Sequence, residues 1–113
     1  MPHQAIDYDT VRSIGTALPD VKDASSKRGM ALKVKGTLLA CKAIHKSAEP
    51  NSLMVRISLN RREALLAQDA ETYYLTDHYE PYPAILVRLS RIKRAPLKEL
   101  LTESWEFVRE EAR

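Results

Sequence analysis

Tyrosine and histidine side chains are concentrated in one short stretch of the sequence, YYLTDHYEPYP at residues 73–83. Four of the five tyrosines of the chain lie in it. Aromatic and imidazole rings stack on the bases and sugars of nucleic acids, so a surface loop of this composition can form a shallow binding site. The candidate residues for such a site are Tyr74, His78, Tyr79 and Tyr82.

The same stretch also has a purely structural interpretation, which we favour. Pro81 and Pro83 each fix their own φ angle and restrict the preceding residue to extended conformations, so we expect a rigid loop. In that case His78 hydrogen-bonds the backbone, and the tyrosine rings close the end of the hydrophobic core. Both interpretations predict an ordered connection between two strands, and only the first predicts a binding site.

Positive charge is strongly segregated along the chain, although the net charge is only +3. Residues 22–46 carry +6, from seven Lys and Arg against Asp23, and residues 86–98 carry +5. A surface of this kind can bind the phosphates of a nucleic acid. The alternative is that an exposed sheet face must be polar and that Lys and Arg are ordinary choices there. The candidate nucleic-acid-binding residues are Lys27, Arg28, Lys33, Lys35, Lys42, Arg56 and Arg88.

The sequence contains no pattern that indicates catalysis or a bound cofactor. It has no Gly-rich phosphate loop and no HExxH, CxxC or GxSxG motif. The three histidines, His3, His45 and His78, are too scattered to suggest a metal site, because a zinc site uses several Cys or His ligands. We therefore expect no enzyme activity, no cofactor and no metal. The single cysteine, Cys41, lies in an apolar run and is predicted to be a buried hydrophobic residue.

Two helices are predicted in the first two thirds of the chain. Asp7 or Asp9 can cap the first helix, and the LPD sequence at residues 18–20 ends it. The second helix is short and begins at NRRE, where Asn60 is the predicted N-cap and Glu63 completes a capping-box variant. The buried stripe of the first helix is predicted to contain Val11, Ile14 and Leu18.

A third helix is predicted near the end of the chain and forms the main cover of the core. Pro96 fits its first turn, where the missing N–H costs no hydrogen bond. We expect Leu101 and Trp105 to face the sheet. The apolar residues at helical spacing are Leu97, Leu100, Leu101, Trp105 and Val108.

Strands are predicted wherever apolar and polar residues alternate. MALKVKGTLLACKAI at residues 30–44 predicts a hairpin with Lys35 and Gly36 at its tight turn. LMVRISL at residues 53–59 alternates in the same way. Two further strands are predicted at residues 73–76 and 84–89, on either side of the tyrosine-rich stretch.

The predicted order α-β-β-β-α-β-β-α indicates one α+β domain over residues 1–113. Tight hairpins predict an antiparallel sheet with the helices packed on one face, in two layers. The opposite face is then partly open. Lys33, Lys35, Arg56 and Arg88 are predicted to point to it, and Lys42 joins them if its strand keeps the same register.

The run YYLTDHYEPYPAILVRL, followed by LKELLTESWEFV and preceded by LKVKGTLLA, resembles the MmcQ/YjbR family. The resemblance covers residues 7–109, and its most specific element is DHY…YP…LVRL ahead of a helix ending in W..V. It implies a compact α+β fold described as CyaY-like or secretion-chaperone-like. Members of the family are commonly labelled as DNA-binding proteins with a double-wing arrangement, and this is the function that the resemblance implies.

Two functions from different classes follow. The first is non-specific binding of DNA by the basic sheet face and the loops. The second is a non-enzymatic module that binds a protein partner or a small ligand, which Met54 and Leu86 favour because they are apolar residues on the charged side of the sheet. The N-terminal sequence does not resemble a signal peptide, and no apolar run is long enough to span a membrane. We expect a cytoplasmic monomer.

Overall fold

The structure is a computed structural model that describes residues 6–111. It confirms an α+β fold with an antiparallel sheet and helices packed on one face. The predicted element order lacked one strand, β1, because three residues are too few to show an alternating pattern. The elements are α1 Tyr8–Thr16, β1 Val21–Asp23, β2 Ala31–Val34, β3 Thr37–Lys42, β4 Ser52–Arg56, α2 Leu59–Gln68, β5 Tyr73–Tyr74, β6 Ala84–Arg88 and α3 Arg94–Glu111.

All neighbouring strands of the six-stranded sheet are antiparallel, in the order β1-β2-β3-β4-β6-β5. The turn between β2 and β3 lies at Lys35 and Gly36, as predicted. Their φ angles are 51° and 81°, the two positive values of a type I′ turn. Such a turn matches the twist of the two strands that it joins.

The predicted start of α1 is confirmed, and the predicted start of α2 is corrected. α1 ends at Thr16, so Leu18, predicted to be part of its buried stripe, lies after the helix. Asp7 caps α1, and its carboxylate accepts the N–H of Thr10 at 2.8 Å. The N-cap of α2 is Ser58 rather than Asn60, and its hydroxyl accepts the N–H of Arg61 at 3.2 Å. The helix starts earlier because Ser58 is extended and is followed at once by helical residues, which places Asn60 inside the first turn.

The main hydrophobic core lies between the sheet and the helices. Leu101 of α3 and Val11 of α1 are fully buried in it, and Leu65 of α2 closes one side. Ser104 is also fully buried, and its hydroxyl donates to the carbonyl oxygen of Leu39 at 3.3 Å. A small residue at this position allows α3 to approach the backbone of β3 closely.

Trp105 does not face the sheet as predicted. It is half-buried at the edge of the core, and its indole N–H donates to the carbonyl oxygen of Pro19 at 2.8 Å. The guanidinium of Arg109 lies 4.3 Å from the ring centroid. Ser104 takes the position closest to the sheet, so Trp105, the next residue, points to the edge of the core. There it attaches α3 to the segment after α1.

The face of the sheet opposite the helices carries a second, smaller apolar cluster. Met54, Ala84 and Leu86 are buried there, and the rings of Tyr74 and Tyr79 pack over them. Since β4 and β6 are covered on both faces, the open face predicted from the sequence is reduced to the side of the sheet formed by β1 and β2.

Leu101→Ala should lower the free energy of unfolding by about 2–5 kcal/mol, because it leaves a cavity at the centre of the contact between α3 and the sheet. Urea denaturation followed by circular dichroism measures the loss. Lys98→Ala, one turn earlier on the exposed side of the same helix, is the matched control and should stay within about 0.5 kcal/mol. Equal losses in the two variants would contradict this placement of α3.

Candidate functional site

Two loops cover the second apolar cluster. One joins β3 to β4 and is called the histidine loop (residues 43–51). The other joins β5 to β6 and is called the tyrosine loop (residues 75–83). Ala43 and Ala48 of the first loop and Tyr79 of the second pack against the buried cluster. The predicted connection between two strands therefore lies against the sheet.

The tyrosine loop is held by a buried arginine, Arg62 of α2, which is only 5% exposed. Its Nη1 donates to the carbonyl oxygens of Glu80, Tyr82 and Ala84 at 3.1, 2.8 and 3.3 Å. Arg62 was not among the predicted site residues, because the NRRE motif indicated only the start of a helix. The spacing of Arg62 to Leu65 was the available signal, since the two residues form the buried side of α2.

Phenol oxygens connect the loops to the sheet and to each other. The hydroxyl of Tyr79 accepts the N–H of His45 at 3.2 Å. The hydroxyl of Tyr74 accepts the N–H of Glu49 at 2.8 Å and also hydrogen-bonds the hydroxyl of Ser52. Two members of the predicted aromatic site are therefore used mainly to hold the histidine loop in place.

The rings of His45 and His78 stack face to face across the two loops. Their centroids are 3.5 Å apart and their planes differ by 6°. Tyr79 meets the His78 ring edge-on at 4.9 Å, and Tyr82 lies 6.3 Å from it. The structure thus brings together three of the four predicted aromatic-site residues, and it adds His45, which the sequence analysis had considered only as a metal ligand.

Only part of this aromatic group is accessible. Tyr82 is 55% exposed and His78 is exposed, whereas Tyr79 is half-buried. Tyr74 lies apart from the group, with the guanidinium of Arg88 at 4.3 Å from its ring centroid. A base or sugar could therefore contact Tyr82 and one side of the His78 ring.

Arg88, a predicted phosphate contact, is engaged within the protein. Its Nε and Nη2 donate to the two carboxylate oxygens of Glu49 at 2.9 and 2.7 Å. Its Nη1 donates to the carbonyl oxygens of Ala70 and Glu71 at 3.2 and 2.9 Å. The hydrogen bonds from Arg88 lower the pKa of Glu49, and the same pairing raises the pKa of Arg88.

Arg56 is engaged in a similar way. Its guanidinium forms an ion pair with Glu111 at the end of α3 and lies 5.7 Å from the ring centroid of Phe107. Like Arg88, it connects the sheet to another part of the fold.

Lys42 does not lie on the predicted face, because β3 contains a bulge. Leu32 pairs with Ala40 and Lys33 pairs with Leu38, so Leu39 is an extra residue that reverses the alternation. Lys42 then pairs with Leu53 of the main core. Its ammonium lies 5.8 Å from the ring centroid of Tyr8, on the helix side of the sheet.

Five other cations form a group that we call the β1–β2 basic edge. Lys33 lies on β2 directly opposite Lys22 of β1, which the sequence analysis missed together with its strand. Lys35 occupies the β2–β3 turn instead of a strand position, which corrects its predicted placement on the sheet face. Lys27 and Arg28 lie at the tip of the turn closed by the Ser26–Gly29 bridge. All five are exposed, and none forms an ion pair with another residue in the range 6–111.

A groove of about 700 Å³ lies beside the C-terminal half of α3. The β2–β3 turn and the start of α2 form its other walls. Val34, Ile57 and Phe107 contribute apolar surface to it. Arg61 and Glu103 form a bidentate ion pair on its wall, with distances of 2.7 and 3.2 Å. Side chains of both signs surround the groove, so it shows no preference for one ligand charge.

The described residues contain no cluster of three or more His, Cys, Asp and Glu side chains that could hold a metal ion. Cys41 is half-buried beside the second cluster, and burial raises the pKa of its thiol. Among residues 6–111 there is no helix long and apolar enough to cross a membrane.

The chain is similar to known proteins in a short segment of its sequence and in its fold. No protein-family model matches the chain. A segment of 42 residues is 48% identical to the uncharacterised proteins Mb2600 of Mycobacterium bovis and Rv2570 of Mycobacterium tuberculosis. The match covers 37% of this chain and 33% of each relative, so it spans about a third of their length.

A solved structure covers the whole chain. Deinococcus radiodurans protein DR2400, which has a DUF419 domain, is similar with a TM-score of 0.77 and 20% sequence identity. The likeness covers 100% of this chain and 86% of that protein. DUF419 is related to the MmcQ/YjbR type of fold, and a likeness at this identity shows the fold alone.

Arg62→Met should lower the free energy of unfolding by about 2–4 kcal/mol, because the carbonyl groups of Glu80, Tyr82 and Ala84 lose their buried donor. Arg61→Met is the matched control on the neighbouring residue. It removes a partly exposed ion pair and should cost no more than about 1 kcal/mol. Chemical denaturation of both variants measures the difference, and a smaller loss for Arg62 than for Arg61 would contradict the role of Arg62.

Proposed function

We propose that the chain is a non-enzymatic, cytoplasmic protein of the MmcQ/YjbR type that binds nucleic acid weakly and without sequence preference. The sequence resemblance supports the family, and the DUF419 neighbour supports the fold. The observation that carries the binding function is the β1–β2 basic edge, five exposed cations with no acidic partner in the described part of the chain. Phosphates are the partners that such a group of cations is suited to bind.

The pairing of Lys22 with Lys33 supports this function physically. Like charges directly opposite each other on neighbouring strands destabilise a sheet. An anion bound between the two ammonium groups would relieve the repulsion and gain two attractive contacts. The pair therefore favours a ligand with closely spaced negative charges.

The size of the edge also fits a nucleic-acid strand. The four residues of β2 span roughly 13 Å, with Lys27 and Arg28 beyond one end and Lys35 beyond the other. One strand of duplex DNA carries a phosphate about every 3.4 Å along the helix axis. Several phosphates can therefore be reached at once without any contact to base edges, which would give affinity without sequence preference.

The groove at the end of α3 favours the second function, binding of a protein partner or a small ligand. Its volume of about 700 Å³ lies within the usual range for ligand sites. The ion pair between Arg61 and Glu103 already satisfies two of its charged side chains, however. The free cations of the β1–β2 edge are therefore the stronger argument.

Duplex DNA should bind the protein with a log–log salt slope of about −3 to −5, because four or five cations would each displace counterions. Replacing Lys22 and Lys33 together by Gln should flatten the slope by about two, equally for unrelated DNA sequences. Fluorescence anisotropy of labelled duplexes at several salt concentrations measures both quantities.

Lys93→Gln with Lys98→Gln is the control pair, since it removes the same charge from exposed positions just before and within α3. It should leave the slope nearly unchanged. No binding at low salt, or equal slopes for the two double variants, would refute the nucleic-acid function and leave the ligand-binding module as the remaining candidate.

A further inference from the structure

The stacked imidazoles of His45 and His78 form the closest ring contact between the two loops over the second apolar cluster. Besides this stack, the loops are joined by the N–H of His45 donating to the Tyr79 hydroxyl and by a hydrogen bond of 2.8 Å between the hydroxyls of Ser47 and Thr76. All three contacts lie within a few residues of one another. They therefore hold the histidine loop and the tyrosine loop together at one end of the second apolar cluster.

The hydrogen bonds of His45 require a neutral ring. The N–H of Ser47 donates to Nδ1 of His45 at 3.1 Å, so Nδ1 carries a lone pair and the ring proton is on Nε2. The Ser47 hydroxyl lies 2.8 Å from the same nitrogen. A proton added to Nδ1 would remove the acceptor of the Ser47 N–H and would place a positive charge on a ring in face contact with a second imidazole.

The groups around the stack do little to stabilise such a charge. Neither ring forms an ion pair with a carboxylate in residues 6–111. Tyr79 packs beside both rings, Tyr82 lies beside His78, and the neighbouring Lys46 adds positive charge. The other titratable residues of the two loops are Glu49, which is paired with Arg88, and Asp77 and Glu80, which are exposed.

We propose that the His45–His78 stack is a proton-sensitive clasp that keeps the two loops closed over the second apolar cluster at neutral pH. When Nδ1 of His45 takes up a proton, it no longer accepts the Ser47 N–H, and a positive charge comes into face contact with the second imidazole, so the clasp opens and exposes the surface around Met54 and Leu86. The change requires no ligand, only a proton taken from solvent.

The direction of the pH dependence follows from the surroundings of His45. Burial, followed by the nearby His78 and Lys46, lowers the pKa of His45 from its ordinary value of 6.5. A histidine with a lowered pKa in the folded state stabilises that state above the ordinary value, and this contribution is lost as the pH falls below it. Opening should therefore set in on the acid side of about pH 6.5.

Amide hydrogen exchange of His45 tests the clasp, because this N–H donates to Tyr79 across the two loops. Between pH 7 and pH 5 its protection factor should fall severalfold in the parent protein, because protonation of His45 removes the acceptor of the Ser47 N–H. His78→Phe keeps a stacking ring, and its aromatic face tolerates a charged His45 better than an imidazole does, so the protection factor of His45 should fall less in this variant. His3→Gln, outside the described residues, is the control and should behave like the parent.

A constant protection factor in the parent, or an equal fall in His78→Phe, would refute the clasp. Should His78→Phe fail to fold, titration of the parent by NMR decides. A titration of the His45 imidazole C–H resonance that is accompanied by a shift of the Met54 methyl supports the clasp. A titration of His45 without a change at Met54 refutes it.

Discussion

The hydrogen bonds of the buried Arg62 guanidinium are the interaction on which the tyrosine loop and the histidine loop depend. A charge in the protein interior is unfavourable unless polar groups lie against it, and here the carbonyl dipoles of Glu80, Tyr82 and Ala84 contact its Nη1. Glu80 and Tyr82 belong to the tyrosine loop, and Ala84 is the first residue of β6. Each side thus satisfies a polar group of the other. The position of the tyrosine loop then determines where Tyr79 and His78 lie, and through them the histidine loop is placed.

Local features of the fold could be read from the sequence, and long-range features could not. The Lys35–Gly36 turn and the Asp7 cap depend on a few neighbouring residues, so their residue types were sufficient. The bulge at Leu39 is invisible in LLA, because three small or apolar residues fit either register. β1 was not predicted because three residues are too few to show an alternating pattern. The pairing of Lys22 with Lys33 was therefore not predicted either.

The candidate site shows the same limit more strongly. The aromatic residues of the tyrosine loop were identified, yet their roles depend on partners far away in sequence. Arg88 contacts Glu49, 39 residues earlier, and Tyr79 accepts a hydrogen bond from His45, 34 residues earlier. The cations on each strand can therefore be counted from the sequence, but the sequence does not reveal which of them form ion pairs in the fold.

Arginines and lysines have different roles in this protein: most arginines connect parts of the fold, and lysines form most of the basic edge. A guanidinium offers several donors in a fixed plane, which suits contacts with two or more acceptors, whereas an ammonium is a flexible point charge. The arginines that hold parts of the fold together are Arg12, Arg56, Arg61, Arg62 and Arg88. The basic edge instead consists mostly of lysines, with Arg28 as the exception.

The two outer strands of the sheet have a consequence for self-association. β1 has three residues and β5 has two, so another extended chain could form only a few backbone hydrogen bonds at either edge. At β1, the side chain of Lys22 would also have to be brought next to the incoming strand. Short, charged borders of this kind oppose the growth of continuous intermolecular sheets, which protects a chain rich in apolar strands from forming fibrous aggregates.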